Sequence, residues 1–274
     1  MNQSVLLHEY HIPAPGVRKK VIYQFSDVHL TLSDALSDAE ETEKARHSRG
    51  LWKEIRERFA KKYGEPYGEE QRLEPEEHFE HMVEIARQDG DALVIAGDLF
   101  DFVSPAHMRF FEERFTHFPM PWIFACGNHE KTQFIPDDAY LALIKRPVQT
   151  LDLGDLLLVA INDSKRVITE EQLAELSRLL DGGKPILLAM HTPIATPNND
   201  VLMQCNEYYH LNHSEAPAEN LAFVELVQKN AGKILAVLAG HLHFGNVCEI
   251  APGLVQYVSS QGVVGNLNRY TVGG

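Results

Sequence analysis

Short apolar runs alternate with longer amphipathic segments along this chain, which is typical of a protein built from strands and helices in turn. The apolar runs read as strands, and they cover residues 5–12, 20–25, 91–96, 122–125, 155–161, 185–190, 233–239, 247–250, 254–259 and 268–272. Helical spacing is seen at residues 38–64, 75–89, 105–118, 137–145, 169–180 and 217–230. This alternation predicts an α/β fold with a parallel-rich core, and the closing strands indicate mixed sheets.

Three segments between these elements lack a regular pattern. Residues 13–16 read Pro-Ala-Pro-Gly and predict a turn between the first two strands, and residues 63–75 are rich in Gly, Pro and Glu. Residues 192–216 form a long irregular stretch, the kind of loop that is often functional. Its polar and aromatic side chains are candidates for contact with a substrate: Asn198, Asn199, Tyr208, Tyr209, His210, Asn212 and His213. We interpret His210 and His213 as surface histidines rather than as a further metal site.

Composition places the chain among ordinary globular proteins. Its 274 residues, with 44% hydrophobic and 23% charged, suit a single domain over residues 1–274 with a full core. No apolar run is long enough to span a bilayer, and residues 1–10 lack the pattern of a secretory signal. Three cysteines without paired spacing fit a reducing, cytoplasmic compartment, and Cys126, after an apolar run, is expected to be a small buried residue.

The formal net charge of −14 narrows the range of partners. Binding along a nucleic-acid backbone depends on Lys and Arg side chains that neutralise phosphates, so this class of partner is not expected. A small phosphorylated substrate held by metal ions is compatible with an acidic protein. The oligomeric state is left open.

Metal-binding side chains recur where the predicted strands end. The segments that carry them read Ser-Asp27-Val-His29, Gly-Asp98-Leu-Phe-Asp101, Gly-Asn128-His129-Glu, Met-His191-Thr and Gly-His241-Leu-His243. Ligands bind outside the carboxyl ends of the strands in open α/β sheets, so these side chains are expected to converge on one site.

The chemistry of these side chains suits two metal ions. Imidazole and carboxylate groups favour Zn, Fe or Mn, and the set is too large for one tetrahedral ion. Two ions about 3.5–4 Å apart are the arrangement that cleaves phosphate esters. One carboxylate must then bridge them, and we expect this to be Asp98, which lies in the middle of the order and follows a glycine.

At these residues the chain resembles the calcineurin-like metallophosphoesterases, whose pattern runs D-x-H, G-D-x-x-D, G-N-H-D/E, H and G-H-x-H. The resemblance covers residues 27–243. It implies a four-layer αββα sandwich of two mixed sheets flanked by helices. It also implies two sets of metal ligands that share Asp98: Asp27, His29, Asp98 and His243 for one ion, and Asp98, Asn128, His191 and His241 for the other.

The same resemblance implies that His129 faces the substrate and is oriented by Asp101, with Asn128 helping to stabilise charge. The Ser/Thr phosphoprotein phosphatases also read G-N-H-E, but they carry a phosphate-binding arginine where this chain has Phe102. This departure argues against protein phosphatase activity.

Residues 38–75 form a helical insertion directly after the first metal motif. One interpretation is a lid that brings Arg46, His47, Arg49 or Lys53 to a phosphate. The other is a solvated helix that buries Trp52 and Phe59 against the body of the protein.

These observations predict a dinuclear, metal-dependent phosphohydrolase that cleaves a small-molecule phosphate ester through a metal-bridging hydroxide. A cyclic-nucleotide or other phosphodiesterase on the same site is the alternative. A nuclease is disfavoured by the charge, and a non-catalytic scaffold is disfavoured because no ligand is lost.

Overall fold

Two sheets form the centre of the protein, which is described by a computed structural model over residues 3–131, 142, 144–197, 199–205 and 209–274. In chain order the strands are β1 (Leu6–Ile12), β2 (Lys20–Phe25), β3 (Ala92–Ile95), β4 (Trp122–Phe124), β5 (Val148–Asp152), β6 (Leu157–Ile161), β7 (Ile186–Ala189), β8 (Ile234–Ala239), β9 (Asn246–Ala251), β10 (Leu254–Val258) and β11 (Asn266–Val272). The helices are α1 (Ala39–Tyr63), α2 (Pro75–Asp89), α3 (Pro105–Thr116), α4 (Glu170–Asp181), α5 (Asp200–Gln204) and α6 (Ala218–Lys229).

Both sheets are mixed, with a parallel centre. The first has the order β1-β11-β2-β3-β4, in which β2, β3 and β4 are parallel and β11 is antiparallel to β2. The second has the order β5-β6-β7-β8-β10-β9, with β6, β7, β8 and β10 parallel and an antiparallel strand at each edge. The parallel strands of each sheet therefore end at one edge, where the loops that follow can meet.

The sheets stack face to face, and helices cover their outer faces. Fully buried side chains from both sheets, including Ile22, Val94, Leu158 and Leu238, form the layer between them. Apolar residues of α2 and α3 cover the first sheet, and those of α4 and α6 cover the second. The predicted four-layer αββα sandwich is confirmed.

Helix α1 lies within residues 38–75, where the narrow apolar stripe predicted a helix. Its first turn is capped by the Asp38 side chain, which accepts the N–H of Glu41 at 2.8 Å. Gly64, at φ 70°, ends it in the left-handed conformation that glycine adopts without strain. Trp52 is buried and packs against Val263 and Val264, in the turn that precedes β11.

Several local predictions were wrong. Strand β11 separates β1 from β2, so the first two strands are not neighbours across the predicted turn. Strand β5 was not predicted, and short helices lie at Glu69–Arg72 and Asp200–Gln204, within segments expected to be irregular.

The predicted helix at 137–145 lies largely outside the described residues. Within the described ranges, no helix is long and apolar enough to cross a membrane.

Candidate metal centre

Five of the seven predicted ligands have an unusual backbone conformation. The φ angles are 55° at Asp27, 49° at His29, 50° at Asp98, 76° at His241 and 59° at His243. A left-handed conformation costs a residue with a side chain about 1–2 kcal/mol, and such residues concentrate at functional sites. The loops after β2, β3 and β8 therefore hold these side chains in orientations that an extended strand end would not give.

The first cluster consists of Asp27, His29 and His243. Their ligand atoms all lie within 4.8 Å of one another. The Nε2 atom of His243 lies 3.3 Å from Oδ1 of Asp27 and 3.2 Å from Nε2 of His29. All three residues were predicted as ligands of the same ion.

The second cluster consists of Asp98, His191 and His241, again with ligand atoms within 4.8 Å. His191 places Nε2 at 3.1 Å from Oδ2 of Asp98 and at 3.2 Å from Nδ1 of His241. The same Asp98 oxygen lies 4.0 Å from Nε2 of His29, in the first cluster. Asp98 thus lies between the clusters, in the position expected of a bridging carboxylate.

The unsatisfied polar atoms of the site fit a metal centre. Oδ1 of Asp27, Oδ1 of Asn128 and Nε2 of His241 are buried and have no hydrogen-bond partner. Buried acceptors without a donor are costly, and cations bound among them would remove that cost. Oxygen and imidazole nitrogen donors in this combination suit Mn, Fe or Zn.

Two glycines allow the loops to approach each other closely. A Cβ atom on Gly127 would lie 2.2 Å from Oδ1 of Asp98, and one on Gly97 would lie 2.3 Å from Nδ1 of His191. Gly97 also has φ 88°, which other residues rarely adopt. The glycines of the G-D and G-N motifs are therefore required by the packing of the site.

Opposite charges face each other across the centre. Although burial opposes ionisation of Asp98, His191 and His129 hold its pKa well below the usual range. Burial likewise works against protonation of His129, but Asp98 and Asp101 raise its pKa to about 10. These neighbouring charges favour an ionised Asp98 and a protonated His129.

Asp101 joins the centre to α1. Its Oδ1 lies 3.2 Å from Nδ1 of His129 and 3.3 Å from Nδ1 of His29. The same oxygen accepts the indole N–H of Trp52 at 2.8 Å, and Oδ2 accepts the hydroxyl of Ser48. The contacts from α1 were not predicted.

Two further buried carboxylates, Glu130 and Asp163, accept backbone N–H groups of the loops that carry the predicted ligands. Neither residue was assigned a role from the sequence. Glu130 accepts the backbone N–H groups of Asp98, Phe100 and Gly127 at 2.7–2.9 Å. Asp163 accepts those of His191 and Thr192 at 2.9 and 2.7 Å. The position of Asp163 just after the predicted strand at 155–161 was the available signal, because the other strand ends carry functional side chains.

A cavity of about 680 Å³ opens at the two clusters. Its walls include Asp98, Asn128, His129, His241 and His243, together with Phe59, Lys62 and Tyr63 from α1, and Arg166, Val201, Cys205, Tyr209, Leu242 and Phe244. A second cavity of about 530 Å³ is also lined by Asn128 and His129, together with Lys44, Asp101, Phe102, Val103 and Lys131. Asn128 and His129 thus line both cavities.

The cations proposed for a lid lie elsewhere. Arg46 pairs with Glu43, Arg49 pairs with Glu76, each at 2.6 Å, and Lys53 pairs with Glu74 at 3.0 Å. None of the three lines either cavity, and neither does His47, which is exposed. The basic side chain that α1 places in the larger cavity is Lys62.

The segment 192–216 contributes fewer polar groups than expected. Tyr209 lines the larger cavity, whereas Asn199 donates to Asn246 and Asn212 bonds both backbone groups of Ala195. His210 is 7% exposed, so its interpretation as a surface residue was wrong. His213 is half-buried. Asn198 and Tyr208 lie outside the described residues.

Cys126 is fully buried, as expected, and burial raises the pKa of its thiol.

Comparison with known proteins places this geometry in a family. A model of the family described as calcineurin-like phosphoesterase matches residues 20–245. Among solved structures, a dimetal phosphatase from Danio rerio is 12% identical with a TM-score of 0.46, over 89% of this chain and 88% of that protein. The calcineurin-like phosphoesterase YfkN from Bacillus subtilis is 13% identical with a TM-score of 0.46, over 89% and 82%. The 5'-nucleotidase from Candida albicans is 11% identical with a TM-score of 0.43, over 92% and 47%. No curated protein sequence matches the chain.

Proposed function

The chain belongs to the calcineurin-like phosphoesterases, which are metal-dependent phosphoester hydrolases, and we propose that it hydrolyses a small-molecule phosphate ester at a dinuclear centre. The observation that carries this proposal is the meeting of two Asp/His clusters at Asp98. Asp27, His29, Asp98 and His243 would hold one ion, and Asp98, Asn128, His191 and His241 would hold the other. Bound ions would supply Lewis acidity to the phosphoryl group and a water molecule of lowered pKa.

His129 is proposed as the general acid. Its Nδ1 is engaged by Asp101, through the carboxylate at 3.2 Å and the backbone oxygen at 2.6 Å, so Nε2 is the nitrogen left for the substrate. This nitrogen lies 4.0 Å from Oδ2 of Asp98, at the point where the two clusters meet. The raised pKa of His129 keeps a proton there, which it would donate to the leaving oxygen.

The size of the larger cavity supports a small-molecule substrate. About 680 Å³ falls within the range of roughly 300–1,000 Å³ that is usual for small-ligand sites. The identity of the metals is proposed from donor chemistry alone, as Mn, Fe or Zn.

A phosphodiesterase is the second candidate, and one feature favours it. The two cavities meet at Asn128 and His129, so a phosphoryl group placed there has space on both sides. A diester carries a substituent on each side of its phosphorus, whereas a monoester needs only one such space.

A panel of nitrophenyl monoesters, nitrophenyl diesters and nucleotides, assayed with Mn²⁺, tests the proposal and separates the two candidates. Wild type is expected to hydrolyse at least one class, and Asp98→Asn is expected to lose that activity together with its metal. Metal-loaded wild type with no activity on any ester would argue against the proposed function. Full activity of the Asp98→Asn variant would argue against the bridging role.

A further inference from the structure

Aromatic side chains flank His241 and His243 on the side of the larger cavity. The ring of Phe59, on α1, lies 5.1 Å from that of His243, and the ring of Tyr209 lies 5.5 Å from that of His241. Tyr63 stacks on Phe244 at 4.0 Å, next to Phe59. All of these rings line the same cavity, although they come from separate parts of the chain.

Several side chains that line this cavity are exposed to solvent. Tyr209 is 46% exposed, as is Val201 beside it, and Phe59 and Tyr63 are partly exposed. Large, mainly apolar side chains that are exposed to solvent next to a polar centre indicate a ligand-binding surface, because leaving apolar area in contact with water is unfavourable. The cation Lys62 lies 4.9 Å from the centre of the Tyr63 ring, at the same wall.

Resting on the proposed function, we infer that this cavity binds a leaving group that contains a flat aromatic ring. The phosphoryl group would lie at the clusters, and the ring of the ester would pack between Phe59 and Tyr209. Aromatic contacts of this kind contribute about 0.5–1.5 kcal/mol beyond the burial of area, which corresponds to about a 2- to 12-fold gain in affinity.

The test uses phosphonates, which bind without being hydrolysed. Calorimetry on the Mn²⁺-loaded protein would compare phenylphosphonate with methylphosphonate, and inorganic phosphate would report binding at the centre itself. Wild type is expected to prefer phenylphosphonate by about tenfold. Phe59→Leu and Tyr209→Leu should each reduce that preference and leave the affinity for methylphosphonate unchanged.

Phe102→Leu is the matched control, because Phe102 lines the smaller cavity and not the larger one. This variant should keep the preference. No preference in wild type, or a preference lost only in Phe102→Leu, would overturn the inference. Since Tyr209 is exposed, Tyr209→Leu remains informative even if Phe59→Leu fails to fold. Failure of the proposed function would be seen separately, as absence of phosphate binding and of ester hydrolysis.

A different observation concerns the face of α1 that meets the centre. The indole of Trp52 stacks on the imidazole of His29, with ring centres 3.8 Å apart and planes 25° apart. Its N–H donates to Asp101 at 2.8 Å, and Ser48, one helical turn earlier, donates to the other oxygen of Asp101. Trp52 is only 7% exposed.

These contacts fix two groups at once. Asp101 lies against Nδ1 of both His29 and His129, so its position sets which nitrogen of each ring faces the Asp/His clusters. Neighbours that orient a ligand or a catalytic group in this way influence metal affinity and activity strongly. We propose that Trp52 and Ser48 are positioning residues, and that α1 is a wall of the active site as well as a cover over the fold.

Fluorescence tests whether Trp52 lies beside a bound metal ion, as its contact with His29 requires. The chain has two tryptophans, so Trp122→Phe leaves Trp52 as the single emitter, and Trp52→Phe leaves Trp122 as the control. Adding Co²⁺ to the metal-free protein should quench Trp52 emission saturably, because its ring contacts His29. Emission in the Trp52→Phe variant should stay constant. Equal quenching in both variants, or none in either while elemental analysis shows bound Co²⁺, would overturn the proposal.

Kinetics provides the second readout. Trp52→Phe keeps an aromatic ring but loses the N–H bond to Asp101, so turnover should fall by about tenfold while KM changes little. Ser48→Ala should behave in the same way, and combining Trp52→Phe with Asp101→Asn should add little to Asp101→Asn alone. A lower melting temperature with unchanged turnover would show that Trp52 is only part of the core.

Discussion

Glu130 accepts the backbone N–H of Asp98 at 2.9 Å, beneath the point where the two Asp/His clusters meet. The same carboxylate accepts N–H groups of Phe100 and Gly127, so one side chain holds the loops after β3 and β4 together. Both loops carry proposed ligands, and Glu130 itself is fully buried. The relative position of Asp98 and Asn128 therefore depends on a residue that is not a proposed ligand.

Replacing Glu130 by Gln tests this dependence. An amide offers one oxygen where the carboxylate offers two, and its NH₂ group would face a backbone N–H. We expect the free energy of unfolding, measured by urea denaturation, to fall by about 1–3 kcal/mol. Glu84→Gln, on the exposed face of α2, is the matched control and should change it by less than about 0.5 kcal/mol. Equal stability of the two variants would contradict the role assigned to Glu130.

His129→Ala separates catalysis from metal binding. If His129 acts as an acid, its loss should reduce turnover by about 10²–10⁴ and leave the metal content of the purified protein unchanged. Asp101→Asn should reduce turnover less, because Nδ1 of His129 also contacts the backbone oxygen of Asp101. Loss of metal from His129→Ala, seen by elemental analysis, would instead make His129 a ligand.

The insertion is expected to bind substrate through Lys62. Because Lys62 lines the larger cavity, Lys62→Ala should raise KM by about tenfold, equivalent to about 1.4 kcal/mol of binding. Lys61→Ala is the matched control, since Lys61 pairs with Glu57 on the exposed side of the helix. Steady-state kinetics on one active ester decides the question, and an equal effect of the two substitutions would exclude a specific contact.

Acid should destabilise the fold partly through His78. Burial lowers the pKa of His78 to about 4, whereas in the unfolded chain it lies near 6.5. Between pH 4 and pH 6.5 the unfolded state binds more protons than the folded state. The contribution of His78 to the free energy of unfolding is therefore fully present above about pH 6.5 and is lost as the pH drops towards 4. The shift corresponds to about 3 kcal/mol.

Urea denaturation of metal-free protein at pH 7 and at pH 4.5 measures this dependence. His78→Leu should flatten it, and His47→Leu, at an exposed position on α1, should not. A variant without His78 that loses as much stability in acid as wild type would show that other groups are responsible.

The strand-end motifs could be read from the sequence because each is local. Asp27, Asp98 and His241 each lie two residues after the end of an apolar run, and parallel strands bring such ends to one edge. This logic did not give the layers of the sandwich, which were implied by the resemblance to the family. It did not recover the order of the first sheet, because the pairing of β1 with β11 joins Leu6 to Asn266 across most of the chain.

The contacts that position the predicted ligands could not be predicted either, because they also join residues that are far apart in the sequence. Trp52 reads as one member of an amphipathic stripe, and nothing near it in the chain shows that its N–H reaches Asp101. Strand β5 has the mixed pattern Val-Gln-Thr-Leu-Asp of an edge strand, so it lacks the apolar run that marked the buried strands. Arg166 could not be singled out either, although its φ of 57° and its place in the cavity wall set it apart.

The metal content of the saturated protein tests the central claim most directly. Protein freed of metal by chelation, saturated with Mn²⁺ and separated from excess, should contain close to two ions per chain by elemental analysis. In Asp98→Asn the content should fall well below two, because the proposed bridging carboxylate would contribute to holding both ions. One ion per chain in saturated wild type, or two ions retained by Asp98→Asn, would contradict a dinuclear centre built around Asp98.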